Sequence, residues 1–441
     1  MTEAKKVMLI TSVFPPSWGS GVHRVSKLYK YLPDFGYFPI VLTTREDSYG
    51  VIDRSTDYSF DQERIIRLSV INWRTFSKKI GIRSPNNNRT LKGPGVGKKS
   101  RYGLARLLKN VYALFSIPDD RVLWIPMAII KGYWMLREHQ VKLLYSTSPH
   151  HSCHMVALFL NWITGIPWIS DFRDPWVENP FPSSQFRVQI WIENILERQV
   201  VKYSSKVVSI SKPITQELKK RYPEVPSSKF GVLPNSFDPD DFVDLQGSKD
   251  TPSKFTISHA GTFYGNRSPE PFLNALTRLL EQRPDWRDYI EVSFIGSMPQ
   301  IREDLMLLNQ LRGVVKFIPY LPYKDMLKFL KRSTILLLIP GPGKGTITGK
   351  VFDYLPLRKP ILLLSQENTE LENILRKTKN GIIVQYGDIE RTIECLTMFL
   401  QEFFGSGTVK VETNEEEINF FTSMEMTRKL AAIMDELWKK G

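Results

Sequence analysis

The chain carries one local design twice: an apolar run that stops at a glycine-rich loop and then re-enters a helical spacing. Val7-Met8-Leu9-Ile10-Thr11 leads through Phe14-Pro15-Pro16 and Gly19-Ser20-Gly21 to Val22, Val25, Leu28, Tyr29 and Leu32 at helical intervals. Far downstream, Ile335-Leu336-Leu337-Leu338-Ile339 leads through Pro340-Gly341-Pro342-Gly343-Lys344-Gly345 to Thr348-Gly349-Lys350, where a second helix is expected to open. Short unbroken apolar runs of this kind suit strands covered on both faces, as in a parallel sheet. A helix that starts on bare glycine backbone presents unpaired N–H groups and the positive end of its dipole, which favours an anion. Two such mouths predict a phosphate-bearing ligand held in a cleft between two domains.

Further apolar runs recur with helical stretches between them, the βαβ pattern. Candidate strands fall at 7–11, 38–43, 143–146, 168–171, 207–210 and 230–233, and again at 255–259, 291–295, 314–317, 335–339, 361–364 and 381–384. A polar, Pro- and Gly-bearing stretch between the two sets reads as a hinge. The expected organisation is an α/β chain of two doubly wound, Rossmann-like parallel-sheet domains, residues 1–240 and 253–414, facing a cleft. The tail 415–441 is expected to be one helix, because Phe420, Met424, Thr427, Leu430, Ile433, Met434, Leu437 and Trp438 form an apolar stripe. Such a stripe needs cover, and docking back across the domain junction would supply it.

At 441 residues the chain exceeds what one core usually serves. Its two cysteines, Cys153 and Cys395, have no ligand spacing, so neither a disulfide framework nor a structural zinc site is indicated. No apolar run is long and clean enough to span a bilayer, and nothing at the start reads as a secretory signal. The expectation is therefore a cytoplasmic protein, or a peripheral one on the inner face of the membrane. Residues 64–118 hold thirteen Lys or Arg and no Asp or Glu, so nearly all of the net charge of +14 lies there. This strip reads either as an insertion that meets anionic lipid or as a solvated loop. It lacks the aromatic interleaving of single-strand binders, which argues against nucleic acid as the partner, although a polyanion-binding protein stays an alternative.

Several segments, taken in order, meet a known family. Phe14-Pro15-Pro16 with Gly19-Ser20-Gly21 and Arg24 is similar to the first loop of glycosyltransferase family 4. Ser170-Asp171-Phe172-Arg173-Asp174-Pro175-Trp176 resembles the DFRDPW signature of one branch, and Leu233-Pro234-Asn235-Ser236-Phe237-Asp238 resembles its IPNGFD segment. His259-Ala260-Gly261-Thr262-Phe263-Tyr264 resembles the start of the second domain, and Thr348-Gly349-Lys350-Val351-Phe352-Asp353-Tyr354-Leu355 the donor-binding helix. The resemblance implies the GT-B architecture and a hexosyltransferase-type enzyme. Such an enzyme moves sugar from a nucleoside-diphosphate sugar to a lipid-linked or surface-polysaccharide acceptor, with retention of configuration and without a cofactor. The chain departs from the pattern at Gly345 and Thr262, where the family has charged groups. A sugar-nucleotide epimerase and a non-catalytic GT-B scaffold therefore stand as alternatives.

Leaving diphosphate needs charge stabilisation above all. Arg267 and Lys350, with backbone N–H groups at Gly19, Ser20, Gly21 and Gly349, could provide it without a metal, as a forked donor and a point charge respectively. Thr348 and Asp353 complete the expected donor set, Asp353 as an acceptor for ribose hydroxyls. Asp171, at a strand end bordering the crevice, is the candidate catalytic group beside the anomeric carbon, with an internal Asp–Arg ion pair as the plain alternative. His150, His151, Arg173 and Asp174 are the expected acceptor-binding residues. His150 and His154 at i and i+4 invite a metal reading, but no third ligand is evident, so no metal is expected. Asp238-Pro239-Asp240 imitates a metal-binding DxD, yet its place in the hinge makes turn chemistry the better reading.

Overall fold

The computed structural model describes residues 5–17, 19–49, 52–55, 60–70, 116–177, 186–245, 253–263, 267–296, 305–340, 348–366 and 368–439. Most of the basic strip, Trp18, and the loop 341–347 with Gly345 lie outside them. Two parallel sheets organise the described residues. The first holds β1 (Lys5–Ile10), β2 (Tyr37–Thr44), β3 (Ile65–Leu68), β4 (Leu143–Thr147), β5 (Trp168–Phe172), β6 (Lys206–Ser209) and β7 (Phe230–Val232), in the order β3-β2-β1-β4-β5-β6-β7. The second holds β8 (Phe255–Ala260), β9 (Ile290–Ile295), β10 (Val315–Ile318), β11 (Ile335–Leu338), β12 (Ile361–Ser365) and β13 (Gly381–Gln385), in the order β10-β9-β8-β11-β12-β13. The chain thus reverses its direction of travel across each sheet once, between β1 and β4 and between β8 and β11. Open α/β sheets place their ligands outside the strand C-termini at such points.

The candidate strands correspond to twelve of these elements, and β3 is the addition. It runs parallel to β2 with Val41 opposite Ile65, so the basic stretch expected to begin at residue 64 starts as a sheet edge. Only four residues long and interrupted by Arg67, β3 offers no apolar run to read; Arg67 instead reaches the Tyr49 hydroxyl at 3.1 Å.

Alternate strand residues serve opposite faces. Met8, Ile10, Leu42 and Leu144 meet α2 (Ile125–Glu138), α3 (Ser152–Thr164) and α4 (Arg187–Tyr203) through Ala128, Val156 and Val200. Val7, Leu9, Val41 and Leu143 meet α1 (Ser20–Tyr31) on the other side through Val25 and Leu28. Helix α5 (Lys212–Arg221) closes the first sheet beside β6 and β7. On the second sheet, α6 (Glu270–Gln282) and α11 (Ile389–Ser406) pack together over Phe255, Val292 and Leu337. Also in this domain are α7 (Leu305–Gln310), α8 (Tyr323–Lys331), α9 (Lys350–Tyr354) and α10 (Glu370–Thr378).

The tail is two helices rather than one, α12 (Glu415–Asn419) and α13 (Ser423–Trp438). Thr422 caps the second by accepting from the Glu425 N–H, which breaks the stripe and leaves Phe420 and Met424 exposed. Met426, Leu430, Met434 and Leu437 then pack in the core of the first domain with Val7, Leu9 and Tyr37. Where α13 starts, the chain lies beside the earlier interdomain crossing: the Phe237 N–H donates to Phe421 O at 3.0 Å and the Ser423 N–H to Phe237 O at 2.8 Å.

Candidate active site

On the second domain, β8 delivers Gly261 with φ +141°, a conformation few side chains adopt. Its bare face is occupied: a Cβ there would take the place of Lys350 Cε and Nζ. Lys350 therefore lies flat across the end of β8, at the β8/β11 reversal. It begins α9, but α9 is only one turn long, so the charge at this mouth comes from the ammonium and little from a helix dipole. Burial, then the neighbouring Arg267, pushes Lys350 down to about 7, against a smaller opposing pull from Asp353. Lys350 has no hydrogen bond or ion pair among the described residues. Arg267 is 5% exposed and directs Nη1 toward Thr262 O at 3.5 Å.

Asp353, one turn along α9, is pushed up to about 6 by burial, partly offset by Lys27 and by the Tyr323 hydroxyl, which donates to it at 2.9 Å. Thr348 is buried at the foot of the same turn, and Gly349 caps it. His259, buried behind Gly261, donates its Nδ1–H to Leu337 O, 2.9 Å away. Burial and the Lys350 charge hold it well below the ordinary histidine range, so it is neutral.

On the first domain, Gly19 (φ +124°) caps α1, and the Ser20 and Gly21 N–H groups have no acceptor among the described residues. Gly21 is bare for a reason: a Cβ would collide with Arg173 Nη1. Arg173, 6% exposed, thus lies against the start of α1. At the β1/β4 reversal, His150 Nδ1 and Ser12 Oγ are 2.7 Å apart, and His150 Nε2 is 3.5 Å from Asp120.

Helix α1 also joins the two lobes. The His23 ring lies 4.3 Å from that of Tyr323, and Asp53 accepts from the Tyr323 N–H at 2.9 Å and the Tyr320 hydroxyl at 3.0 Å. Burial, Lys27 and Arg173 push His23 down to about 3, against a smaller pull from Asp53, so it is an uncharged contact. Through this contact α1 meets the second lobe at Tyr323, whose hydroxyl holds Asp353, and Lys27 of α1 acts on the same Asp353. His23, Asp53 and Tyr323 were not among the sequence candidates. Packing between lobes leaves no periodic signal, and only the place of His23 on the first turns of α1 hinted at a cleft position.

Two expected residues, Asp171 and His151, sit differently. Asp171 is 0% exposed, and its oxygens take Arg24 Nε at 2.8 Å, Arg24 Nη2 at 2.9 Å, Tyr145 Oη at 2.6 Å and Thr147 Oγ1 at 2.7 Å. Completely buried and paired with Arg24, Asp171 forms the internal Asp–Arg ion pair that was the plain alternative, so its placement beside an anomeric carbon gives way to a positioning role. Arg24 carries the tie onward to Leu233 O at 2.9 Å and Pro234 O at 2.9 Å, just before the hinge. His151 stacks flat on Trp176, 4.3 Å away with a 5° tilt, and burial pushes its pKa well down. Asp174 is exposed at the rim beside Arg173. In the hinge, Asp238 is taken by the Tyr31 hydroxyl at 2.6 Å and Lys30 at 2.7 Å, and Lys30 holds Asp240 at 2.7 Å as well. That DxD anchors α1.

Two facing parallel-sheet domains, with the last helix returned to the first, define the GT-B fold. Solved structures agree. HepE from Anabaena in complex with UDP superposes with TM-score 0.60 at 13% identity, over 98% of this chain and 100% of that one. Sucrose-phosphate synthase from Thermosynechococcus elongatus gives 0.61 at 13%, over 99% and 100%. An α,α-trehalose-phosphate synthase (UDP-forming) from Burkholderia vietnamiensis gives 0.60 at 12%, over 99% and 100%. No protein-family model matches the chain, and no curated protein matches it in sequence.

Proposed function

We propose that the protein is a glycosyltransferase that takes sugar from a nucleoside-diphosphate sugar and passes it to a lipid-linked or surface-polysaccharide acceptor at the inner face of the membrane. The observation that carries this reading is Lys350, laid on the bare face of Gly261 beside Arg267 with no described partner. A diphosphate at the β8/β11 reversal would supply the missing negative charge. As the sugar–phosphate bond breaks, charge grows on that diphosphate, and fixed cations stabilise it without rearrangement. The Ser20 and Gly21 N–H groups of α1, without an acceptor among the described residues, would add donors. Two cations and backbone amides suffice for this, so the proposal requires no metal.

Asp353 would accept from ribose hydroxyls. His150, Arg173 and Asp174 border the first-domain crevice, where an acceptor hydroxyl would enter; His151 sits behind them on Trp176. Without a substrate-facing carboxylate at Asp171, retention would proceed with no enzyme-bound sugar, the leaving diphosphate itself accepting the acceptor proton. HepE holds UDP in its solved complex, so uridine diphosphate is the first nucleotide to try. A thermal-shift screen of UDP, UDP-glucose and other sugar nucleotides tests the reading, since a ligand of the folded state alone raises its melting temperature. Stabilisation by at least one sugar nucleotide, abolished in Lys350→Ala, is expected. Silence across the panel, or an unchanged response in Lys350→Ala, would refute it.

A further inference from the structure

Before Val200 and Val201 enter the core, the first three turns of helix α4 are amphipathic the wrong way round. Its inward face carries Gln189, Glu193 and Glu197, all buried, with Glu197 held by Arg221 at 2.7 Å and the Tyr222 hydroxyl at 2.8 Å. Its outward face carries Val188 (54% exposed), Trp191 (64%) and Ile195 (40%). A helix in water has no reason to turn tryptophan out and glutamate in. Its neighbours repeat the pattern. Helix α2 buries Ala128 and Met135 against the sheet yet exposes Met127, Ile130 and Trp134 at helical spacing. Helix α3 ends in exposed Trp162 and Ile163.

These exposures form one face. Helices α2, α3 and α4 lie side by side, and Trp162 on α3 meets Tyr203 on α4 edge-on at 5.5 Å. Contiguous apolar surface on this scale marks an interaction site. Its charges say with what. The exposed charged residues of the three helices are Lys131, Arg137, Arg187, Arg198 and Lys202 against Glu138 alone. Tryptophan, tyrosine and basic side chains around an aliphatic surface is the composition that seats at a bilayer interface. A second copy across a two-fold axis would instead set these cations against one another. No described helix is long and apolar enough to cross a membrane, so a face, not a span, would make the contact.

We propose that the α2–α3–α4 face docks the protein on an anionic lipid surface, with the tryptophans at headgroup depth and the basic residues on lipid phosphates. The face belongs to the first domain and is distinct from the strip at 64–118; its docking does not depend on sugar transfer. The cleft end of α3, next to His150, borders the same layer of helices, so docking would bring the acceptor crevice close to the lipid plane.

The test is flotation of the full chain with vesicles of phosphatidylcholine containing about one third phosphatidylglycerol, and with phosphatidylcholine alone. The expected result is flotation with the anionic vesicles, a blue-shifted tryptophan emission, and at least about a tenfold loss of partitioning in Trp134→Ser/Trp191→Ser/Ile195→Ser. All three substitutions are at exposed positions, and an unchanged circular-dichroism melt certifies that the variant is folded. A second variant, Lys131→Gln/Arg187→Gln/Lys202→Gln, should lose the preference for anionic over neutral vesicles. No flotation of the wild type, undiminished flotation of the folded apolar variant, or a wild-type dimer that this variant dissociates would each overturn the proposal.

Discussion

A lysine held at about 7 should announce its ligand by taking up a proton. Without ligand at pH 8, Lys350 is about one tenth charged, given a pKa of about 7. A diphosphate beside it favours the charged form and returns the group toward the ordinary lysine range. Binding at pH 8 should therefore draw in about 0.9 proton through Lys350, and the contribution of Lys350 should shrink to about 0.1 at pH 6, where the ammonium is already formed. The sign for affinity follows: the complex holds more protons than the free protein, so binding weakens as pH rises. The apparent Kd should grow by nearly tenfold per unit from about pH 8 upward until the pKa of the complex is reached. Asp353, at about 6, is already ionised at pH 8 and adds little there. Calorimetry of UDP binding in two buffers of different ionisation enthalpy reads the proton count directly. Lys350→Arg keeps a permanent charge and should bind with uptake close to zero. Binding at pH 8 with uptake below about 0.2, or the same uptake in Lys350→Arg, would refute the assignment of the titrating group.

Gly261→Ala puts a methyl where Lys350 lies and strains a φ of +141°, so nucleotide affinity in calorimetry should fall by about tenfold or more; unchanged affinity would remove Lys350 from the site. Asp171→Ala leaves the buried Arg24 guanidinium without its counter-charge and should cost about 3–5 kcal/mol in urea unfolding. A stable Asp171→Ala protein that has lost only turnover would restore Asp171 as a substrate-facing group. Deleting residues 74–99 should leave UDP affinity unchanged while reducing retention on heparin, because none of the residues proposed to hold the nucleotide comes from that segment; loss of UDP binding would contradict that separation.

The fold was legible because parallel strands buried on both faces write themselves as apolar runs, and β4, β5, β11 and β12 are buried at every residue. The missed strand β3 is an edge with partly exposed residues and an arginine in its middle, so its identity came from its neighbour β2 rather than from its own composition. Lys350 stands out in the sequence as the lysine that follows a glycine loop. Why the site leaves Gly261 bare was not legible, because that answer requires knowing that residues 261 and 350 touch. Asp171 illustrates the same limit. Reading along the chain, its obvious partner is Arg173, two residues away. The folded protein gives it Arg24 instead, 147 residues distant, and that choice turns an apparent reactive carboxylate into a tie between α1 and β5. The outward tryptophan of α4, Trp191, would also read inward on periodicity alone; burial of Glu193 and Glu197 sets the opposite orientation.

The paired hydrogen bonds between Phe237 and residues 421 and 423 have a mechanical consequence. Two covalent threads connect the lobes, and they are stitched together at one spot. Once the noncovalent contacts of His23 and Asp53 with Tyr320 and Tyr323 release, two threads stitched at one seam let the lobes pivot there far more readily than slide or pull apart. Lobe opening should then be a swing about Phe237, with α13 travelling as cargo of the first domain, and the widest displacement reserved for the parts of the cleft farthest from that pivot.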